Sequence, residues 1–397
     1  MRERHKGFWA IQALFVALLW LFTYDSSFAA GPVKIGLAGP MSGELAWMGR
    51  SMREAAELAI SEWSEKGGLS GRPVELVIGD DRSDPRQAVA VAGKMVKENV
   101  WGVVGHFTSS ASIPASAVYH EAGIPQITPS STDPRFTQQG FENVFRTCGR
   151  DDQQGLVAAD FVMKHLKAKR IAIVHDKTPY GRSLAEAFRK AVGRKGRLLA
   201  YEAIVQGDRD FTALLKRLMP LKPDVLYFGG VSREAGLLLR RMREQGMAAK
   251  FVSGDGAIGE ELIKAAGEKA ALGSYFTLYP DPLLLPSAKE MIAKHEKRYG
   301  PISPYSLYTF DAVSALLQAI ARARPKDDSR GGLLKVSRVL HAMTYDGALG
   351  RLRWDRNGDI LKPPYVVYMV EKKGHYLGWF VQVTGRLGEG ATGRGQR

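Results

Sequence analysis

The chain has 397 residues, of which 45% are hydrophobic and 24% charged, with 43 Gly and 19 Pro. That length and balance fit two or three domains with cores of their own and exclude a disordered, collagen-like or disulfide-stapled chain. Lys and Arg outnumber Asp and Glu by 56 to 41, a net charge of +15, so nucleic acid or an anionic surface has to be weighed as a partner.

The first segment reads as an export signal. Arg2, Arg4 and Lys6 precede an almost wholly apolar run from Phe8 to Thr23, and Ser27-Phe28-Ala29 supplies small residues at the positions a signal peptidase requires. Cleavage is expected after Ala29, leaving a periplasmic mature chain. No cysteine follows that point closely enough to carry a lipid. The single cysteine, Cys148, excludes an intrachain disulfide. It ends a strand pattern with no histidine nearby in sequence, so it reads as a buried small hydrophobe.

From Val33 onward, strands and helices alternate. Strands are expected at Val33–Ala38, Val74–Ile78, Trp101–Gly105, Ile124–Thr128 and Asn143–Arg146. Helices are expected between them at Arg50–Lys66, Asp84–Asn99 and Ser109–Glu121. A second series follows, with strands at Arg170–His175, Tyr201–Val205, Val225–Phe228 and Phe251–Val252, and helices at Gln154–Leu166, Leu184–Val192, Phe211–Met219 and Ala235–Gln245. Continuous apolar runs such as Ile171-Ala172-Ile173-Val174 fit parallel strands buried on both faces. That many strands exceed one sheet, and the pattern breaks near Cys148–Asp152. After Leu278 the chain turns helical over Ser287–Tyr299, Tyr305–Arg322 and Leu333–Met343. Antiparallel strands are expected within Arg351–Trp354 and Tyr365–Phe380, with turns at Arg356–Asp359 and Lys372–Gly374. The Gly- and Arg-rich 385–397 reads as a disordered tail.

Common catalytic motifs are missing. There is no phosphate loop, nucleophile elbow or His-Glu-x-x-His pair, and Asp355–Asp359 lacks the terminal Glu of a calcium loop. No cofactor or metal is therefore expected. His106 and His175 sit at strand ends but have no partner defined by sequence, so both read as structural. The basic residues recur on polar helix faces, as at Lys164, Lys167 and Arg170 or Arg240, Arg241 and Arg243, without a nucleic-acid motif. They read as solvated surface.

What remains lies at strand ends that feed helices. Gly105-His106-Phe107-Thr108-Ser109-Ser110 leaves a strand and opens a helix, placing unpaired N–H groups and hydroxyls beyond the sheet edge. Thr128-Pro129-Ser130-Ser131-Thr132 adds hydroxyls at the same edge, and Ser253-Gly254-Asp255-Gly256 adds one carboxylate from the second series. An acid facing a helix N-terminus across a cleft suits a zwitterion.

These stretches, with Gly39-Pro40-Met41-Ser42-Gly43, Asp80-Asp81, Asp84-Pro85 and His175-Asp176-Lys177 before Tyr180-Gly181, resemble the leucine/isoleucine/valine-binding family. Those are periplasmic substrate-binding proteins of branched-chain amino acid ABC transporters. The resemblance covers roughly Val33 to Phe380. It implies the type I periplasmic-binding-protein fold, with two doubly wound parallel-sheet α/β lobes joined by three hinge crossovers. The first lobe would be 30–150 plus 279–349, the second 151–278 plus 350–384, after the 1–29 signal. It implies a non-enzymatic, monomeric binding protein that hands its ligand to an inner-membrane permease. Ser109, Ser130 and Thr132 then fall where the first lobe holds the α-carboxylate and amine. Tyr180 falls where an aromatic closes over the ligand, and Asp255 where the family has an acid, usually Glu, for the ammonium. Trp47 or Met48 and Tyr305 would line the side-chain pocket. Val231 replaces an aromatic residue that members often carry after Gly-Gly, and Ser83 and Thr108 occupy the positions of the family's first-lobe disulfide. The same fold would also serve an exported sensor subunit or a binder of amides or small aromatic acids.

Overall fold

A computed structural model describes residues 31–69, 71–193, 196–361, 363–372 and 378–384. The expected signal peptide, the expected tail and most of the turn at Lys372–Gly374 lie outside them. Among the described residues no helix is long and apolar enough to cross a membrane.

Two sheets carry the fold. The first runs β2-β1-β3-β4-β5, all parallel, from β1 (Val33–Gly39), β2 (Val74–Asp80), β3 (Val103–Gly105), β4 (Gln126–Thr128) and β5 (Val144–Arg146). The second runs β14-β13-β10-β9-β8-β6-β7. Its parallel part is β6 (Arg170–His175), β7 (Arg197–Ala203), β8 (Val225–Gly229), β9 (Lys250–Ser253) and β10 (Tyr275–Leu278). The antiparallel strands β13 (Val366–Val370) and β14 (Phe380–Gln382) extend it beyond β10. A small hairpin of β11 (Tyr345–Gly347) and β12 (Gly350–Leu352) stands apart.

The apolar runs behave as parallel strands should. Ile35, Leu37, Ile171, Ala172, Ile173 and Val174 are all fully buried, because helices cover both faces of each sheet. Helix Ala46–Glu65 lays Met48, Met52, Ala55, Ala56 and Ala59 on the first core at three- and four-residue spacing. That core also takes Leu307, Val313, Leu316 and Leu317 from helix Ser306–Ala323, so the helical segment after Leu278 returns to the first lobe. Burying a leucine side chain of this kind contributes about 1.5–3 kcal/mol.

Three expectations need correction. The segment from 350 is expected in the second lobe, yet Leu352, Trp354 and Ile360 are buried in the first core, and Trp354 Nε1 donates to the Arg146 carbonyl at 2.9 Å. A two-stranded hairpin is at best marginally stable alone in water and packs on the nearest core. The strand expected at Tyr201–Val205 is Arg197–Ala203. It is the sheet's edge, with Leu198 exposed, and so lacks the buried run that marks its neighbours. The helix expected from Leu184 starts at Pro179, with Thr178 as N-cap accepting the Gly181 N–H at 3.0 Å and Pro at the first turn. Between Val252 and Leu278, where no element was expected, the chain forms helix Glu260–Ala266 and β10.

Candidate functional site

The two lobes face each other across a cavity lined by the loops that leave the carboxyl ends of their strands, as open parallel sheets dictate. From the first lobe, helix Ser109–Ala122 opens four residues after β3 ends. Its N-cap, Thr108, makes no side-chain cap, which leaves first-turn N–H groups without an internal acceptor where Ser109 and Ser110 line the cavity. Ser130, in the loop after β4, donates its hydroxyl to the Phe107 carbonyl at 2.7 Å. Its oxygen is left free only to accept, so it suits an ammonium better than a carboxylate.

Asp255 comes from the second lobe, in a single 3-10 turn just after β9, and is 1% exposed. Tyr180 OH donates to Oδ1 at 2.9 Å and itself accepts the Gly256 N–H at 2.8 Å. Tyr305 OH, from the first lobe, donates to Oδ2 at 3.1 Å. Burial pushes the Asp255 carboxyl up from its ordinary value, against the pull of these hydrogen bonds. Burial also pushes the Tyr180 and Tyr305 phenols well up, so both remain donors at neutral pH. A glycine at 256 allows the approach, since a Cβ there would stand 2.7 Å from the Tyr180 ring. Asp255 is therefore a buried acid held by one phenol from each lobe.

An apolar stretch of wall faces these groups. Leu45, Met48, Phe107 and Val231 line it with the Tyr305 ring, which meets Phe107 edge-on at 5.0 Å. At the mouth, Arg233 of the second lobe pairs with Glu44 of the first.

Of the sequence-expected residues, Ser109, Ser130, Tyr180, Asp255, Met48, Tyr305 and Val231 come together around this cavity. Trp47 and Thr132 do not line it. Adjacent helical residues point about 100° apart, so Met48 turns inward while Trp47 lies against Gly259 of the second lobe, where a Cβ would be 3.1 Å from its ring. The Thr132 carbonyl accepts the Asp151 N–H at 2.9 Å, behind the lining. Thr178, Gln206, Leu45 and Phe107 line the cavity without having been singled out. Each follows a strand or precedes a helix, a position that sequence can mark, but Gln206 sits in a polar loop with nothing to distinguish it. Ser83 and Thr108 also line the cavity.

His106 and His175 are both buried. His106 Nδ1 lies 2.6 Å from Asp81 Oδ2 and Nε2 lies 3.1 Å from Tyr119 OH, a satisfied structural ring. Among the described residues no cluster of three or more His, Cys, Asp or Glu could hold a metal. Cys148 is fully buried and its thiol is pushed up to about 12, mainly by burial, which leaves it inert as a nucleophile.

Known proteins resemble this chain over most of its length. The chain is 41% identical over 362 residues to a Leu/Ile/Val-binding protein homolog of Brucella melitensis, covering 90% of this chain and 95% of that one. A leucine-binding protein from Thermotoga maritima superposes with a TM-score of 0.80 at 31% identity, covering 88% of this chain and 97% of that one. A branched-chain amino acid transporter substrate-binding protein from Streptococcus pneumoniae, solved with isoleucine, gives 0.78 at 28%, covering 89% and 99%. The two-lobed fold is the type I periplasmic-binding-protein fold. A family model for periplasmic binding proteins matches residues 32–375, nearly the whole described chain, and this protein belongs to that family.

Proposed function

We propose that this protein is a non-enzymatic capture protein that closes its two lobes on a branched-chain or related hydrophobic amino acid and delivers it to an inner-membrane ABC permease. The observation that carries the reading is Asp255, a buried carboxylate at the cavity whose position opposite the open N-terminus of helix Ser109–Ala122 suits the two ends of a zwitterion. The α-ammonium pairs with Asp255 and the Ser130 oxygen. The α-carboxylate takes the N–H groups of Ser109 and Ser110 and the Ser109 hydroxyl, whose oxygen accepts the Asp133 N–H and whose proton is left to donate. The side chain lies among Leu45, Met48, Phe107 and Val231. Thr132 acts from behind this shell, and Trp47 acts on closure rather than on the ligand.

The names of the relatives support the ligand class. The signal-like segment before Ala30 supports export to the periplasm, and membership of the periplasmic-binding-protein family supports binding without turnover. The protein acts as a monomer and without nucleic acid. Lobe one comprises 30–150 and 279 to about 360, and lobe two the rest of 151–384. Calorimetric titration of the chain from Ala30 on with L-leucine, L-isoleucine and L-valine tests the reading. Saturable one-to-one binding at micromolar or tighter Kd is expected, and no heat with any α-amino acid would overturn it.

A further inference from the structure

The ligand cavity does not end at its apolar wall. Leu45, Ser83, Gln206 and Val231 line it and also line a second, outer space of about 530 Å³ between the lobes. A side chain that leaves the polar anchors along Leu45 and Val231 is led directly into that space.

The boundary between the two spaces carries polar groups beside the apolar Leu45 and Val231. Ser83 Oγ is buried with no hydrogen-bond partner among the described residues, and an orphaned hydroxyl of this kind is destabilising unless something pairs with it. Gln206 presents a side-chain amide at the same boundary. The cations around the outer space each have a carboxylate beside them, while Asp84 serves as a helix cap. Arg233 pairs with Glu44, Arg82 lies 3.7 Å from Asp80, Lys264 lies 3.1 Å from Glu261, and Asp84 accepts the N–H groups of Arg86 and Gln87. Both arginines there have a carboxylate beside them, so among the described residues no free cation is left to select an anionic end, and the neutral groups supply donors and acceptors.

We propose that the site also takes α-amino acids whose unbranched side chain passes Val231 and ends in a neutral hydrogen-bonding group, the class of glutamine and citrulline, with that end meeting Ser83 Oγ and the Gln206 amide. The proposal rests on the reading of the inner cavity as an α-amino-acid site. Val231 sets the reach. A larger ring there fills the passage between the two spaces and confines ligands to short side chains.

Calorimetric titration of L-leucine, L-glutamine and L-citrulline into the wild-type chain, Val231→Tyr and Ser83→Ala tests it. In the wild type, glutamine or citrulline is expected to bind with a Kd within tenfold of that of leucine. The ratio of the polar ligand's Kd to that of leucine is expected to rise at least tenfold in Val231→Tyr and at least threefold in Ser83→Ala. Leucine binding with both polar ligands more than tenfold weaker in the wild type, or a ratio unmoved in both variants, overturns this inference and leaves the amino-acid reading standing. Binding of none of the three ligands overturns both.

Discussion

Asp255→Asn isolates the charge at the centre of the site. The substitution keeps the shape of the side chain and one carbonyl oxygen, so one of the phenols at 2.9 and 3.1 Å keeps an acceptor while the other loses it. Losing one such hydrogen bond costs about 0.5–1.5 kcal/mol, and relief of the buried charge offsets it, so the melting temperature of the apoprotein should barely change. Binding is another matter. Removing one partner of a desolvated charge pair leaves the ligand's ammonium unpaired, at a cost of about 2–5 kcal/mol, or roughly a 30- to 5,000-fold rise in Kd. Isothermal titration of both proteins with leucine reads this directly.

The pH dependence supplies an independent check. Because burial raises the Asp255 pKa in the free protein, the acid's stabilising contribution to the apoprotein is present below its unfolded value of 3.8 and is lost as pH rises through the raised value. Affinity runs the opposite way. A protonated Asp255 cannot pair with an ammonium, so wild-type Kd should rise as pH falls through that range and the variant's should stay flat. A variant Kd within threefold of wild type would refute the assignment.

Two further substitutions test the frame around the site. Arg146 is fully buried, its Nε lies 2.7 Å from Asp359, and it donates to the carbonyls of Ser131 and Asp133 beside the first crossover. Arg146→Ala should cost about 3–5 kcal/mol in denaturant unfolding, because it breaks a buried ion pair and strips the buried Ser131 and Asp133 carbonyls of a donor, although Arg150 still reaches Asp359 at 2.7 Å, and a loss under 1 kcal/mol would contradict this. Asp311, buried and pushed up to about 7, accepts the N–H groups of Ala348 and Leu349. Burial raises its pKa in the folded state, so its contribution to stability should fall as pH rises from about 4 to about 7, by up to about 4 kcal/mol. Unfolding curves across that window should flatten in Asp311→Asn, and an unchanged slope would place the pH dependence elsewhere.

Most of the frame is legible in the sequence because parallel strands are buried on both faces. Ile171 to Val174 reads as a strand without reference to anything else, and the alternation with helices then fixes the sheet type. The edges are less legible. Arg197–Ala203 has one neighbour and exposed residues, so its apolar signal is weak, and Gly350–Leu352 owes its place to a distant core rather than to its own pattern. In the site, strand-end loops mark Ser109, Ser130 and Asp255, since unpaired N–H groups, hydroxyls and a lone acid between glycines have local signatures. The choice of Met48 over Trp47 depends on the angle of one helix. The places of Gln206 and Thr132 depend on how closely the lobes approach, which no local pattern encodes.

The central claim is that the cavity recognises a zwitterion through both of its charged ends. A thermal-shift comparison of the chain from Ala30 on with L-leucine and with 4-methylpentanoate, which differs only in lacking the ammonium, tests it most directly, because at equal concentration the tighter ligand stabilises more, with the logarithm of its affinity. Leucine should raise the melting temperature in a concentration-dependent way, and 4-methylpentanoate at the same concentration should leave it in place. Equal shifts with the two compounds, or a shift with the acid alone, would contradict the account.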